Sequence, residues 1–278
     1  MMQLFHKTTQ GCSQFITEQY STSFTLGIKT LDHKYHAPIY GIYGFVRFAD
    51  EIVDTFYDFD QKTLLDEFKA DTYKAIEQGI SLNPVLHSFQ MVVNQYQIEH
   101  ELIEAFLHSM AMDLYCQDYN EDGYQEYIYG SAEVVGLMCL RVFCEGNDAQ
   151  YQTLKDDARK LGSAFQKVNF LRDIKSDFQD RGRVYFPGVD FKNFKAEDKK
   201  HIEDDIQADF NAAYRGILGL PRGARLGVYL AYRYYLRLFK KIKTLPACRI
   251  QNERIRVPDY QKMVLLGKTY LRHRLNVL

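Results

Sequence analysis

Asp50 and Asp54, in GFVRFADEIVDTF, and Asp173 and Asp177, in FQKVNFLRDIKSDF, share one DxxxD spacing. On a helix, residues four apart share a face about 6 Å apart along the axis, so each pair presents two carboxylates side by side. Polar groups precede both pairs on the same face: Tyr43 and Arg47 before Asp50, Gln166 and Asn169 before Asp173. The residues between are apolar, among them Phe45, Val46, Phe48, Ile52, Val53 and Phe56 in the first segment. A helix entering a core does not hold two like charges uncompensated, because each desolvated carboxylate costs several kcal/mol. Mg²⁺ supplies that compensation through carboxylate oxygens, and completes its shell with water and phosphate oxygens. Two such faces opposed across a cavity would hold several Mg²⁺ ions and a diphosphate, with apolar helices as walls. The pattern points to a long apolar molecule with a diphosphate head. One pair alone reads better as a solvated face; two copies on apolar helices with matched upstream groups do not.

The elements that must position these residues read as helices. DQKTLLDEFKADTYKAIEQG has apolar residues near helical spacing and ends on Gly79. NPVLHSFQMVVNQY opens with Asn83 as N-cap and Pro84 in the first turn. NEDGYQEYIYGSAEVVGLMCLRVFCEGN predicts one long apolar helix stopping at Gly146, and a further helix is expected from about Asp148 to Gln179, stopping near Gly182. LPRGARLGVYLAYRYYLRLFKKIK predicts another from Pro221. Only RVYFP, 183–187, reads as extended, and it is too short to build a sheet. The six prolines fall near expected helix ends or connections, and no linker or repeat is visible. One all-α domain over residues 1–278 is expected, with long central helices buried on most sides.

Composition is that of an ordinary globular chain of 278 residues, 46% hydrophobic and 26% charged. No run of about 18 apolar residues predicts a membrane-spanning helix, and the N-terminus lacks the pattern of a signal peptide. The five cysteines, at 12, 116, 139, 144 and 248, form no CxxC pair and suit reduced thiols. The histidines show no metal-ligand spacing. The net charge of −1 conceals an asymmetry, since Arg215 to Arg274 carries fifteen Lys and Arg against two acids, Glu253 and Asp259. Such a segment suits a polyanion, an acidic membrane surface or a phosphorylated ligand, or is simply a solvated face. No nucleic-acid partner is expected.

The sequence resembles the squalene/phytoene synthase family over nearly its whole length. The resemblance rests on STSF, YGFVRFADEIVD, YIYGSAEVVGLM, QKVNFLRDIKSDFQDRGRVYFP and LPRGARLGVYLA. It implies an all-α isoprenoid-synthase bundle around a central cavity and Mg²⁺-dependent, head-to-head condensation of two prenyl diphosphates. RFADEIVD, DRGRVYFP and the tail NERIRVPDYQKMVLLGKTYLRHRLN look most like bacterial phytoene synthases. That implies two C20 geranylgeranyl diphosphates in and phytoene out, through a cyclopropyl carbinyl diphosphate. The alternatives are a squalene or dehydrosqualene synthase using C15 farnesyl diphosphate, and a non-catalytic assembly or lipid-binding member.

By match to the family's motifs, Asp50, Asp54, Asp173 and Asp177, with Asn169, would hold two or three Mg²⁺ ions, with Mn²⁺ as a substitute. Arg47 and Arg172 would hold diphosphate, or pair with a neighbouring aspartate. Gln166 would bond metal-bound water or diphosphate. Tyr129 would orient diphosphate or face a carbocation. Ser21 and Ser23 would contact diphosphate or cap a helix, and Phe24 and Tyr43 would shield cations with their rings. Glu51, about 100° around the helix from the pair, is a supporting acid, and Arg254 and Arg256 are candidates to close over a diphosphate. No NADPH is expected, nor a dedicated histidine base. A cytoplasmic enzyme in peripheral contact with the inner face of the membrane is implied, while oligomeric state stays open. One departure stands out: Ala132-Glu133 replaces the family's frequent Ala-Gly. Glu133 would turn outward, pair with a basic group, or narrow the pocket.

Overall fold

Side-chain caps and left-handed glycines set many of the helix ends. Asp60 accepts from the Thr63 N–H at the start of one helix, and Gly79 closes it at φ +67°. Asn83 accepts from the N–H groups of Val85 and Leu86 at the next, with Pro84 in its first turn. Cβ-free Gly79 takes the left-handed conformation without the steric cost other residues bear. The computed structural model describes residues 1–115, 118–177 and 182–274. Within them lie α1 (Met2–Tyr20), α2 (Thr22–Lys29), α3 (His33–Asp54), α4 (Gln61–Gln78), α5 (Pro84–Tyr96), α6 (His100–Tyr115) and α7 (Glu121–Ile128). They continue with α8 (Val134–Cys144), α9 (Asp148–Lys175), α10 (Ala196–Gly219), α11 (Arg222–Lys243), α12 (Ala247–Ile250) and α13 (Asp259–Arg274). Among the described residues there is no strand, only an isolated bridge between Asp118 and Val184. The all-α expectation holds, and the extended RVYFP segment is where that bridge falls.

Three details differ from the sequence reading. The long helix expected through Gly146 is α7 and α8 joined by a π-helical turn, Tyr129–Glu133. A Cβ on Gly130 would lie 2.4 Å from the Ala105 carbonyl oxygen, so α6 packs closely against the backbone at that turn. The next helix, α9, is α-helical only to Lys175, and Gln179 lies outside the described residues. Pro38 sits inside α3, five residues past its start, where a connection was expected. Its ring removes one hydrogen bond near the N-terminus, and the rest of α3 continues to Asp54.

α9 packs on α8 and α10, and α1 covers α3 and α5. One core gathers on α3, α5, α6 and α8, where the Phe45 ring stacks on Phe89 at 3.9 Å and on Phe68 at 5.6 Å. A second gathers around α9, α10 and α11, with Phe170 stacked on Tyr185 at 4.0 Å. Such stacked pairs add about 0.5–1.5 kcal/mol beyond area burial. The one stretch among the described residues long and apolar enough to cross a membrane is Glu121–Cys144, and 61% of its apolar window is buried in the fold.

Candidate active site

α3 divides its circumference between core and cavity. Phe45, Ala49 and Val53 are fully buried, while Ile39, Ile42, Tyr43 and Val46 line a cavity of about 320 Å³. The helix leaves the cavity wall one turn before Asp50. α9 repeats the arrangement. It lines the cavity from Leu154 to Asn169, fifteen residues or about 22 Å at 1.5 Å per residue, and reaches Asp173 one turn later. The wall is apolar along most of that length, apart from Asp157, and turns polar again at Gln166 and Asn169. Both aspartate pairs therefore follow the wall at its polar end.

Arg183 joins their far ends. Its guanidinium donates to Asp54 Oδ1 at 3.1 Å, and its backbone N–H donates to the Asp177 carbonyl at 2.8 Å. The four carboxylates are partly shielded to different degrees, from 36% side-chain exposure at Asp50 to 17% at Asp173, and Asp177 is buried. The first pair is thus less buried than its apolar setting suggested.

Arginines surround these acids. Arg47 binds Asp50 at 2.6 Å and also grips Glu51, with the Tyr20 ring 4.4 Å from its guanidinium carbon. Its buried Nε–H meets no acceptor among the described residues, a cost of about 1–3 kcal/mol. Arg172 holds the adjacent Asp173 through Nε at 3.0 Å. Arg254 reaches the same carboxylate at 2.8 Å from the segment after α12. Both Arg47 and Arg172 therefore make the aspartate pairings that were one of their two expected roles.

The remaining expected residues fall into two groups. Phe24 and Tyr43 line the cavity with ring centroids 5.7 Å apart. Burial raises the Tyr43 hydroxyl above its usual pKa. Gln166 donates to Ser131 at 3.3 Å, and Asn169 accepts from the Tyr235 hydroxyl at 3.3 Å. Ser21 caps α2 by accepting from the Phe24 N–H at 3.2 Å, and Ser23 is half-buried on that helix. Tyr129 is not among the cavity-lining side chains; it packs against the first core with the Arg159 guanidinium 5.2 Å from its ring. Glu133 is buried and receives Arg159 Nε at 2.7 Å. Ser131 and Ala132 of the same turn face the cavity, and Glu133 does not line it. Of the three outcomes open for Glu133, it pairs with a basic group.

Sequence reasoning missed Arg183, Asp113 and Tyr235. Burial pushes the Asp113 carboxyl up to about 7 against the pull of Arg183 and of the Tyr127 hydroxyl, which donates to it at 2.8 Å. Arg183 stood inside a quoted motif, DRGRVYFP, but no spacing argument marked it. Asp113 is a lone acid on an apolar helix, and only the tertiary fold brings it to Arg183.

A helical bundle around a largely apolar cavity, with one aspartate pair at the end of α3 and the other at and just past the end of α9, is the architecture of the all-α isoprenoid-synthase fold. The squalene/phytoene synthase family matches residues 17–261, and the chain belongs to it. It is 27% identical to phytoene synthase of Arthrospira platensis, over 95% of this chain and 92% of that one. It is 24% identical to 4,4'-diapophytoene synthase of Staphylococcus haemolyticus, over 75% of this chain and 72% of that one. Among solved structures, a dehydrosqualene synthase bound to a ligand shares the fold with a TM-score of 0.80 at 22% identity, covering 96% of this chain and 98% of that one.

Proposed function

We propose that the protein condenses two prenyl diphosphates head to head, using two C20 geranylgeranyl diphosphates to make phytoene, the first committed step of carotenoid synthesis. The observation that carries this reading is the cavity wall on α3 and α9, whose last residues, Val46 and Asn169, lie one turn before Asp50 and Asp173. An apolar chain would lie along Leu154 to Phe165, and its diphosphate would reach Asn169, Asp173 and the Asp50–Asp54 face.

The donor set fits Mg²⁺. Among the described residues no three acidic, histidine or cysteine groups form a ready-made metal site. Mg²⁺ needs only one or two carboxylates when phosphate oxygens and water supply the rest. Asp50, Asp54, Asp173, Asp177 and Asn169 would hold the ions, with Mn²⁺ as a substitute. When bound, the metal neutralises the charge that develops on the departing diphosphate.

The chain's own groups do the rest. Arg47, Arg172 and Arg254 offer fixed guanidinium donors to phosphate oxygens. The first ionisation gives an allylic cation, which the second prenyl chain attacks to form a cyclopropyl carbinyl diphosphate with loss of a proton. A second ionisation opens that ring, and proton loss gives phytoene; the released diphosphate is the base. Phe24 and Tyr43 present ring faces to the cations, and the apolar wall excludes water. No reductant is needed for this outcome. Such a product would be delivered to a membrane surface, against which a cytoplasmic enzyme with a basic C-terminal quarter would dock.

A C15 reading is favoured by the relative named 4,4'-diapophytoene synthase. Incubation with C15 or C20 diphosphate, with and without Mg²⁺ and NADPH, followed by product identification, separates the two. Phytoene from the C20 substrate without NADPH is expected. A C30 product formed in preference would transfer the assignment to the C15 class, and no condensation from either substrate would overturn the proposal.

A further inference from the structure

Asp113 is a buried acid on α6 that does not line the cavity, so it cannot meet a substrate there. Its contacts all lead elsewhere. The Tyr127 hydroxyl donates to one carboxylate oxygen at 2.8 Å, and Arg183 Nη1 lies 3.5 Å from the other. Arg183 Nη2 donates to the Asp113 backbone carbonyl at 2.8 Å. The same guanidinium reaches Asp54 at 3.1 Å, and the Arg183 backbone N–H binds the Asp177 carbonyl at 2.8 Å. One planar fork is thus hydrogen-bonded to the α6 backbone and ion-paired at longer range with the Asp113 carboxylate, whose Oδ1 takes no hydrogen bond among the described residues, and it reaches the end of α3 beside the end of the second aspartate segment.

We propose that Asp113 is a positioning residue for the condensation: it anchors Arg183, which in turn sets Asp54 of the first aspartate pair in register with Asp177 of the second. The proposal rests on the reading of the aspartates as the metal and diphosphate site. A guanidinium holds two partners at once because its donors lie in a rigid plane. Removing the Asp113 charge weakens one side of that hold and lets Arg183 drift onto or away from Asp54. Metal-diphosphate binding requires oxygens from both helices at fixed separations, so the effect falls on ligand affinity in a folded protein, which a purely structural ion pair would not produce.

The test uses the full chain. Binding of Mn²⁺ in the presence of inorganic diphosphate is followed by the electron paramagnetic resonance signal of free Mn²⁺. Wild type, Asp113→Asn, Arg183→Lys and Asp54→Asn are compared, with melting midpoints measured in parallel. Asp113→Asn and Arg183→Lys are each expected to weaken diphosphate-dependent Mn²⁺ binding about tenfold while the protein stays folded. Wild-type affinity in both variants overturns the proposal, and so does tighter binding, which would make Arg183 a competitor of the metal. If Asp113→Asn does not fold, Arg183→Lys alone decides, since lysine keeps the charge and loses the fork. Loss of binding in Asp54→Asn together with intact binding in the other two variants overturns only the positioning role. Intact binding in all of them, Asp54→Asn included, overturns the reading of the site itself.

Discussion

Arg254 Nε lies 2.8 Å from Asp173 Oδ1, although the two residues belong to the strap after α12 and to the cavity helix α9. Ile255 and Val257 are buried on either side of Arg256, so apolar anchors hold the strap in place while Arg254 stays half-exposed at the site. Replacing Arg254 with Gln is expected to raise KM for the prenyl diphosphate about tenfold, an energy of roughly 1.4 kcal/mol. The melting midpoint should hardly move, because exposed ion pairs contribute little. Steady-state kinetics beside thermal melts check both halves, and an unchanged KM would confine Arg254 to a surface pairing.

The close approach of α9 to the π-helical turn gives a second prediction. A Cβ on Gly162 would stand 2.6 Å from the Ala132 carbonyl oxygen and 3.0 Å from Glu133 Cα. Those are backbone atoms that cannot swing aside, so Gly162→Ala should destabilise by about 1–3 kcal/mol. Gly11 in α1 has open space at the same position, and Gly11→Ala should be neutral or stabilise by up to about 1 kcal/mol. Chemical denaturation of the two variants distinguishes them, and equal stabilities would contradict the packing described here.

A pair of histidines ties α1 to α5. His87 Nδ1 accepts from the Ser81 N–H at 3.2 Å, so its Nε2 carries the hydrogen donated to His6 Nδ1 at 2.8 Å. Burial, and then the nearby His6, lower the His87 pKa. The unfolded chain therefore takes up this proton before the folded one does. The contribution is fully present above the unfolded value of about 6.5 and is lost as pH falls below it. Melting midpoints at pH 7.5 and 5.5 should show a drop in the wild type that His87→Gln reduces. An identical drop in the variant would remove His87 from the account.

Membrane contact is testable through charge. α13 carries exposed Tyr260, Val264 and Leu271 together with Lys262, Lys268 and Arg272. Flotation with vesicles containing anionic lipid should show binding at low salt that weakens at high salt. Absence of binding at low salt would contradict peripheral association.

The helical class, several helix ends and both aspartate pairs were legible because each is a local pattern. Asn83-Pro84, Gly79 and the DxxxD spacings act within one or two turns. The π-helical turn at Tyr129 was not, and it lies where the fold brings Gly130 close to Ala105 of another helix, a contact no local pattern marks. Pro38 misled for the opposite reason: a local signal for a helix boundary was overridden by a helix that begins at His33 and runs on to Asp54. The direction of Glu133 was open because its partner, Arg159, is 26 residues away. Arg183 and Asp113 escaped on the same ground, being separated by 70 residues and meeting only in the folded chain.

The account turns on the aspartates, and the most direct measurement is turnover of geranylgeranyl diphosphate by Asp54→Asn and Asp173→Asn beside the wild type. Each substitution keeps the side chain's shape and a neutral oxygen while removing one anionic ligand. Loss of about 4 kcal/mol of transition-state stabilisation corresponds to roughly a thousandfold in rate. The account predicts a fall of that order in both variants while the protein remains folded, and a much milder effect in Glu51→Gln, whose carboxylate is engaged by Arg47. Near-wild-type turnover in Asp54→Asn or Asp173→Asn would contradict it and leave these carboxylates as structural partners of arginines such as Arg183, Arg172 and Arg254.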